Sequence, residues 1–213
     1  MSLAIRNQLR KYFATPRALN DYATHIPVLI GLARLREIRN VLEFGCGRYS
    51  TLTFLNRAGF PHLERLHSIE NDESWASKIQ KATEHDPRWS LQVVNSEIRE
   101  SIADLDLEAF DLILIDDSKT SAQRAATIRA TARKQPQHAW IVIHDFEVAE
   151  YREAASGFKH RQCFRAYNPE TGVVANCDRI DQWKALDRAI RRKARMLEPD
   201  ALVDWSSSLE FKL

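Results

Sequence analysis

No sign of charge dominates this sequence. Its 31 lysines and arginines stand against 29 aspartates and glutamates, a net charge of +2 over 213 residues. A chain-wide basic field is missing, so no nucleic-acid partner is expected. Long apolar runs are missing too, and none approaches the ~20 residues that a membrane span requires. The first residues, Met1 to Arg10, hold no apolar segment of the kind a secretory leader needs. Cysteine is scarce: Cys46, Cys163 and Cys177 form neither a C-x-x-C pair nor a zinc pattern. Free thiols and a reducing cytoplasm are therefore expected. There is no internal repeat, no low-complexity segment and no nucleophile elbow. The length suits one sizeable domain.

What is present centres on Val41-Leu42-Glu43-Phe44-Gly45-Cys46-Gly47-Arg48-Tyr49-Ser50-Thr51. Val41, Leu42 and Phe44 suit a buried parallel strand. Gly45 and Gly47 allow a sharp turn and a close backbone approach to a ligand. Cys46, between them, reads as a small space-filler. Ser50 or Thr51 then opens a helix through Leu52, Phe54 and Leu55, whose first N–H groups favour an anion. The dinucleotide pattern G-x-G-x-x-G would need glycine where Ser50 stands. Glu43 would face a pyrophosphate badly but an ammonium well.

Strands and helices alternate along the chain. Apolar helical spacing marks residues 1–38, with Pro16 as an interruption and Pro27 near a first turn. Strands are expected at Asn40–Phe44, Arg65–Ile69, Leu91–Val94, Phe110–Ile115 and Ala139–Ile143. The helices between them run from Ser50 to about Arg57, after a cap at Asn71 or Asp72, over Ile98–Leu105 and over Ser121–Lys134. Another follows from about Glu147 to Ala155. Arg161–Tyr167 and Val173–Arg179 flank turn residues and read as an antiparallel hairpin. If that hairpin is centred on Glu170, Cys163 and Cys177 face each other.

Parallel α/β sheets bind ligands at the carboxyl ends of their strands. Here those ends carry Glu43 to Gly47, Glu70, Asn95-Ser96, Asp116 to Lys119, and His144-Asp145. Glu70 lies 23 residues after Gly47, where an acid is placed to bind ribose hydroxyls. Asn95 and Ser96 could equally cap the next helix. His144 is suited to act as a base near neutral pH. The other histidines (His25, His62, His67, His85, His138 and His160) show no ligand spacing and are read as incidental.

Glu43-x-Gly45-x-Gly47 resembles motif I of the class I S-adenosylmethionine-dependent methyltransferases. The resemblance spans about residues 39–180. It implies an α/β, Rossmann-like doubly wound seven-stranded sheet, mostly parallel with an antiparallel C-terminal hairpin. Residues 1–38 would be a helical cover and 181–213 a C-terminal helix and tail. It also implies S-adenosylmethionine held by Glu43, Gly45, Gly47, Ser50, Glu70, Asn95, Ser96 and Asp116, with Ser96 or Glu97 beside the adenine. The segment Asp116-Asp117-Ser118-Lys119 resembles the small-molecule O-methyltransferases of the catechol and macrocin types. That resemblance implies a small-molecule acceptor handled by Lys119, His144 and Asp145. It further implies Mg²⁺ on Asp116 and Asp145, although His144 stands where those families keep an oxygen ligand.

Two other functions fit the residues: a nicotinamide-dependent oxidoreductase on a similar sheet, and a cofactor-binding module without catalysis. A homo-oligomer is left open. The helix expected over Asp181–Leu197 carries six basic and two acidic residues. It reads either as an ordinary packed helix or as a docking surface for an anionic acceptor.

Overall fold

The computed structural model describes residues 21–83, 86–118, 120–177 and 181–194. One seven-stranded sheet organises it. Its strands are β1 (Asn40–Phe44), β2 (Arg65–Glu70), β3 (Trp89–Val93), β4 (Leu112–Ile115), β5 (Trp140–Ile143), β6 (His160–Phe164) and β7 (Thr171–Ala175). Their spatial order is β3-β2-β1-β4-β5-β7-β6. The first five strands are mutually parallel, and β7 enters antiparallel between β5 and β6. This is the mostly parallel sheet with a C-terminal hairpin that the sequence pattern predicts. The hairpin register differs. Cys163 pairs with Gly172, so Cys177 lies beyond β7 and does not face Cys163. All three thiols are free.

Alternation along each strand builds two cores, one on each face. Leu112 and Leu114 of β4, with Trp140 and Val142 of β5, enter one core. Ile113, Ile115, Ile141 and Ile143 enter the other. The first core is closed by α1 (Ile26–Leu35), α2 (Thr51–Leu55) and α7 (Asp181–Ala194). The second is closed by α4 (Ile98–Ser101), α5 (Ser121–Lys134) and α6 (Ala149–Ala154). Helix α3 (Glu73–Ala82) follows β2, with Asp72 capping the Trp75 N–H at 2.9 Å.

Several helices are shorter than their apolar spacing suggests. Helix α2 stops at Leu55, α4 gives way to a 3₁₀ turn at Ile102, and α6 begins at Ala149. Among the described residues, no helix is long and apolar enough to cross a membrane.

Candidate active site

The carboxyl ends of the central strands open on a cavity of about 830 Å³. One wall is the glycine loop, Gly45 to Ser50, together with Glu70 to Glu73 and Trp75. The other is formed by Tyr22, His25, Asp116, Ser118, Gln123 and Arg124.

On the first wall, Glu70 is held in place by the chain that follows it. Its Oε1 accepts from the N–H groups of Asn71 and Asp72 at 2.7 and 2.9 Å. Among the described residues its Oε2 has only the Cys46 thiol, at 3.8 Å. The Trp75 indole N–H donates to the Cys46 carbonyl at 2.6 Å and ties α3 to the glycine loop. Gly45 has φ +84°, and a side chain there would meet the Asp116 carbonyl oxygen at 2.5 Å. Its glycine is required by the packing of the β1 loop on the β4 loop.

Three sequence expectations change on this wall. Glu43 does not line the cavity. It shares the face of Val41, so its carboxyl lies fully buried beneath the loop. There its Oε2 accepts from the hydroxyls of Thr51, at 2.8 Å, and Ser68. Burial pushes its pKa up to about 7. The Gly47 N–H is not free for an anion, because it donates to Thr51 Oγ1 at 3.0 Å. Asn95 and Ser96 are exposed and stand outside the cavity wall. Strand β3 is the sheet edge, and the start of α3 closes the cavity on that side.

The second wall is a cluster of charged groups and imidazoles. Asp116 Oδ1 lies 3.2 Å from His144 Nδ1 and 3.0 Å from Arg124 Nη2. His144 Nε2 lies 2.9 Å from the Thr24 hydroxyl. His25 packs edge-on against His144, with ring centroids 4.8 Å apart. Both ring nitrogens of His25 are buried and have no hydrogen-bond partner among the described residues.

Burial and the neighbouring His144 push the His25 pKa down to about 3, so this ring is neutral at physiological pH. Burial opposes the charge on His144, but the Asp116 carboxylate outweighs it and raises its pKa. Burial likewise opposes ionisation of Asp116, yet His144 and Arg124 hold its pKa down at about 2. Ser118 and Asp145 have φ of 68° and 56°. Two non-glycine residues in the left-handed region thus sit at adjacent strand ends, a common mark of functional loops.

Mg²⁺ on Asp116 and Asp145 does not fit this arrangement. The Arg124 guanidinium already bridges the two carboxylates, with Nη1 2.6 Å from Asp145 Oδ2. It is held there by the Asp117 carbonyl at 2.7 Å. Asp145 is therefore a partner of Arg124 and is not part of the cavity wall. Lys119 lies outside the described residues. Sequence spacing missed His25 and Arg124, because each reaches the site from a helix and not from a strand end. It also set His25 aside as incidental, which its place in the cluster corrects.

Residues 42–146 match the family model described as a methyltransferase domain. That stretch runs from β1 to the residue after Asp145 and holds both walls except Tyr22 and His25. No curated protein sequence matches the chain. Solved structures share its fold. A Klebsiella pneumoniae protein assigned as an O-methyltransferase is 20% identical, with TM-score 0.55 over 83% of this chain and 91% of that one. A Staphylococcus aureus protein assigned as a caffeoyl-CoA O-methyltransferase is 11% identical, with TM-score 0.54 over 82% and 91%. Human methyltransferase-like protein 13, solved with S-adenosylhomocysteine, is 15% identical, with TM-score 0.54 over 82% and 93%. Strand order and family match together define a class I S-adenosylmethionine-dependent methyltransferase. Within that class the chain resembles the small-molecule O-methyltransferases.

Proposed function

We propose that the chain methylates an oxygen of a small-molecule acceptor, sugar-containing metabolites included. One observation carries this reading. The unpartnered, neutral His25 stands beside Asp116 and His144 at the far end of the cavity that begins at Glu70. An acceptor hydroxyl must lose its proton as the methyl group arrives, so a proton-accepting group within reach is what O-transfer needs. The bound cofactor supplies an electrophilic methyl group on a sulfonium.

In this reading Glu70 directs its weakly engaged oxygen to the ribose hydroxyls, while Gly45, Gly47 and Ser50 shape the wall beside them. Glu43 acts from beneath, by fixing Thr51 and through it the Gly47 N–H. Asp116 orients His144, and His25 faces the acceptor. Tyr22 and His25 cover the site from the N-terminal side, since both stand in its wall; residues 1–20 of the expected helical cover lie outside the described residues. The antiparallel β7 argues against a nicotinamide oxidoreductase, whose sheet ends in a parallel sixth strand.

Titration calorimetry with S-adenosylhomocysteine and with NAD tests the cofactor assignment. Saturable binding of the first and none of the second is expected, and binding of NAD alone overturns the reading. A screen of hydroxylated acceptors with methyl-labelled cofactor then tests O-transfer. Label found only on nitrogen acceptors overturns that part.

A further inference from the structure

The His25–Asp116–His144 cluster has the composition of a metal site that differs from the one the resemblance implies. Its three ligand atoms lie within 4.8 Å of one another. His25 comes from the entry to α1, Asp116 from the end of β4 and His144 from the end of β5. Ligands of one four- to six-coordinate ion stand roughly 3–3.5 Å apart. The Asp116–His144 pair, at 3.2 Å, is already at that separation. The widest separation in the cluster would have to close by roughly 1.5 Å to reach the same spacing.

Three further features favour an ion here. Both His25 nitrogens are buried with no partner among the described residues, and such a group costs free energy until something binds it. His144 has its other ring nitrogen against the Thr24 hydroxyl, 2.9 Å away, the support that metal-bound imidazoles usually have. The charges also allow a dication. Arg124 is shared between Asp145, at 2.6 Å, and Asp116, at 3.0 Å; with both imidazoles bound as neutral ligands, the two carboxylates outweigh its one charge.

We propose that His25, Asp116 and His144 bind one late first-row divalent ion, of the Zn²⁺ or Co²⁺ class, at the acceptor end of the cavity. Two imidazoles and one carboxylate select such ions over Mg²⁺, which prefers oxygen. Three protein ligands leave open positions for an acceptor oxygen. There the ion would lower the pKa of a hydroxyl group. That role rests on the O-methyltransferase reading, but the binding itself does not.

The test uses the full chain stripped with chelator, titrated with Zn²⁺ in the calorimeter and with Co²⁺ in the visible spectrophotometer. One equivalent of each should bind, with Co²⁺ giving ligand-field bands that Zn²⁺ abolishes. Mg²⁺ at the same concentration should not compete. His25→Ala and His144→Ala should each weaken Zn²⁺ binding about a hundredfold or more. Asp145→Asn, which would destroy a site built on the two aspartates, should retain it. Absence of stoichiometric binding in the unaltered protein overturns the proposal without recourse to any variant. So does Zn²⁺ binding unchanged in both histidine variants. S-adenosylhomocysteine affinity, measured on the same samples, reports on the methyltransferase reading separately. Cofactor binding without metal binding leaves that reading standing and removes the ion, and His144 is then a plain imidazolium partner of Asp116.

Discussion

Arg124 donates to Asp145 at 2.6 Å while the same guanidinium stands 3.0 Å from Asp116. One cation thus joins the loops after β4 and β5, and its side chain is only 8% exposed. The Asp117 and Ser118 carbonyls accept from its remaining donors at 2.7 and 3.3 Å. The site's second wall is built on this residue, which also lines the cavity.

Arg124→Met should therefore destabilise the protein strongly. Removing one partner of a buried ion pair leaves its carboxylates uncompensated and costs about 3–5 kcal/mol. Arg124→Lys restores the charge without the planar fork, so it should recover only part of the loss. Urea unfolding of the two variants checks the order. Equal stability of Arg124→Met and the unaltered protein would show that Asp116 and Asp145 do not depend on it.

Glu70→Ala should weaken S-adenosylhomocysteine binding by about 1–3 kcal/mol, the cost of leaving polar groups unpaired in a pocket. The backbone N–H groups of Asn71 and Asp72 lose their acceptor as well. Glu70→Gln keeps an oxygen for those N–H groups and separates the two effects. Calorimetry on folded variants measures both. Undiminished affinity in Glu70→Ala would exclude Glu70 as a cofactor ligand.

Glu43 makes stability depend on pH in a defined direction. Its pKa is raised by burial to about 7, above its ordinary value near 4.5. The native state therefore holds this proton more tightly than the unfolded chain does. The resulting stabilisation is complete below about pH 4.5 and is lost as pH rises through about 7. Asp117, pushed up to about 6 by burial, acts in the same direction. Glu43→Gln should flatten the decline between pH 5 and 7.5 in denaturant titrations without erasing it. An identical pH profile in the variant would contradict the raised pKa.

The strands were legible because β4 and β5 are continuous apolar runs that only a doubly covered sheet explains. The place of Glu70 on the cavity wall was legible because strand-end spacing survives folding unchanged. Glu43 was placed in the right loop and on the wrong side of it. Strand alternation turns every second residue to the other face, and Val41 already fixed which face that was. His25 and Arg124 were not legible at all. No local period links residue 25 or 124 to residue 144; only packing of α1 and α5 against the two faces brings them together. Helix lengths were overestimated where apolar residues continue past the last helical turn and pack in a 3₁₀ turn, as Ile102 does.

Helix α7 offers a prediction in which its two sides behave differently. Trp183, Leu186 and Ile190 are fully buried. Trp183 stands edge-on to Trp140, with centroids 5.7 Å apart. Leu186 presses on Gly31 of α1, where even an added Cβ would lie 2.5 Å from its Cδ1. Leu186→Ala should cost about 2–5 kcal/mol of stability, as a large-to-small change in a packed core. Arg188 and Arg192 are exposed. Converting both to Glu should change stability by no more than about 0.5 kcal/mol. Arg191 differs from them, because it pairs at 2.9 Å with Asp187, a carboxylate only 8% exposed. Arg191→Glu should therefore destabilise more than the double reversal at 188 and 192. Thermal unfolding of the three variants fixes that order for a packed helix. Once an acceptor is known, the Arg188 and Arg192 variant also tests docking. A steep, salt-sensitive loss of activity with unchanged stability would make the basic side of α7 a docking surface for an anionic acceptor. Full activity would leave the helix a structural one.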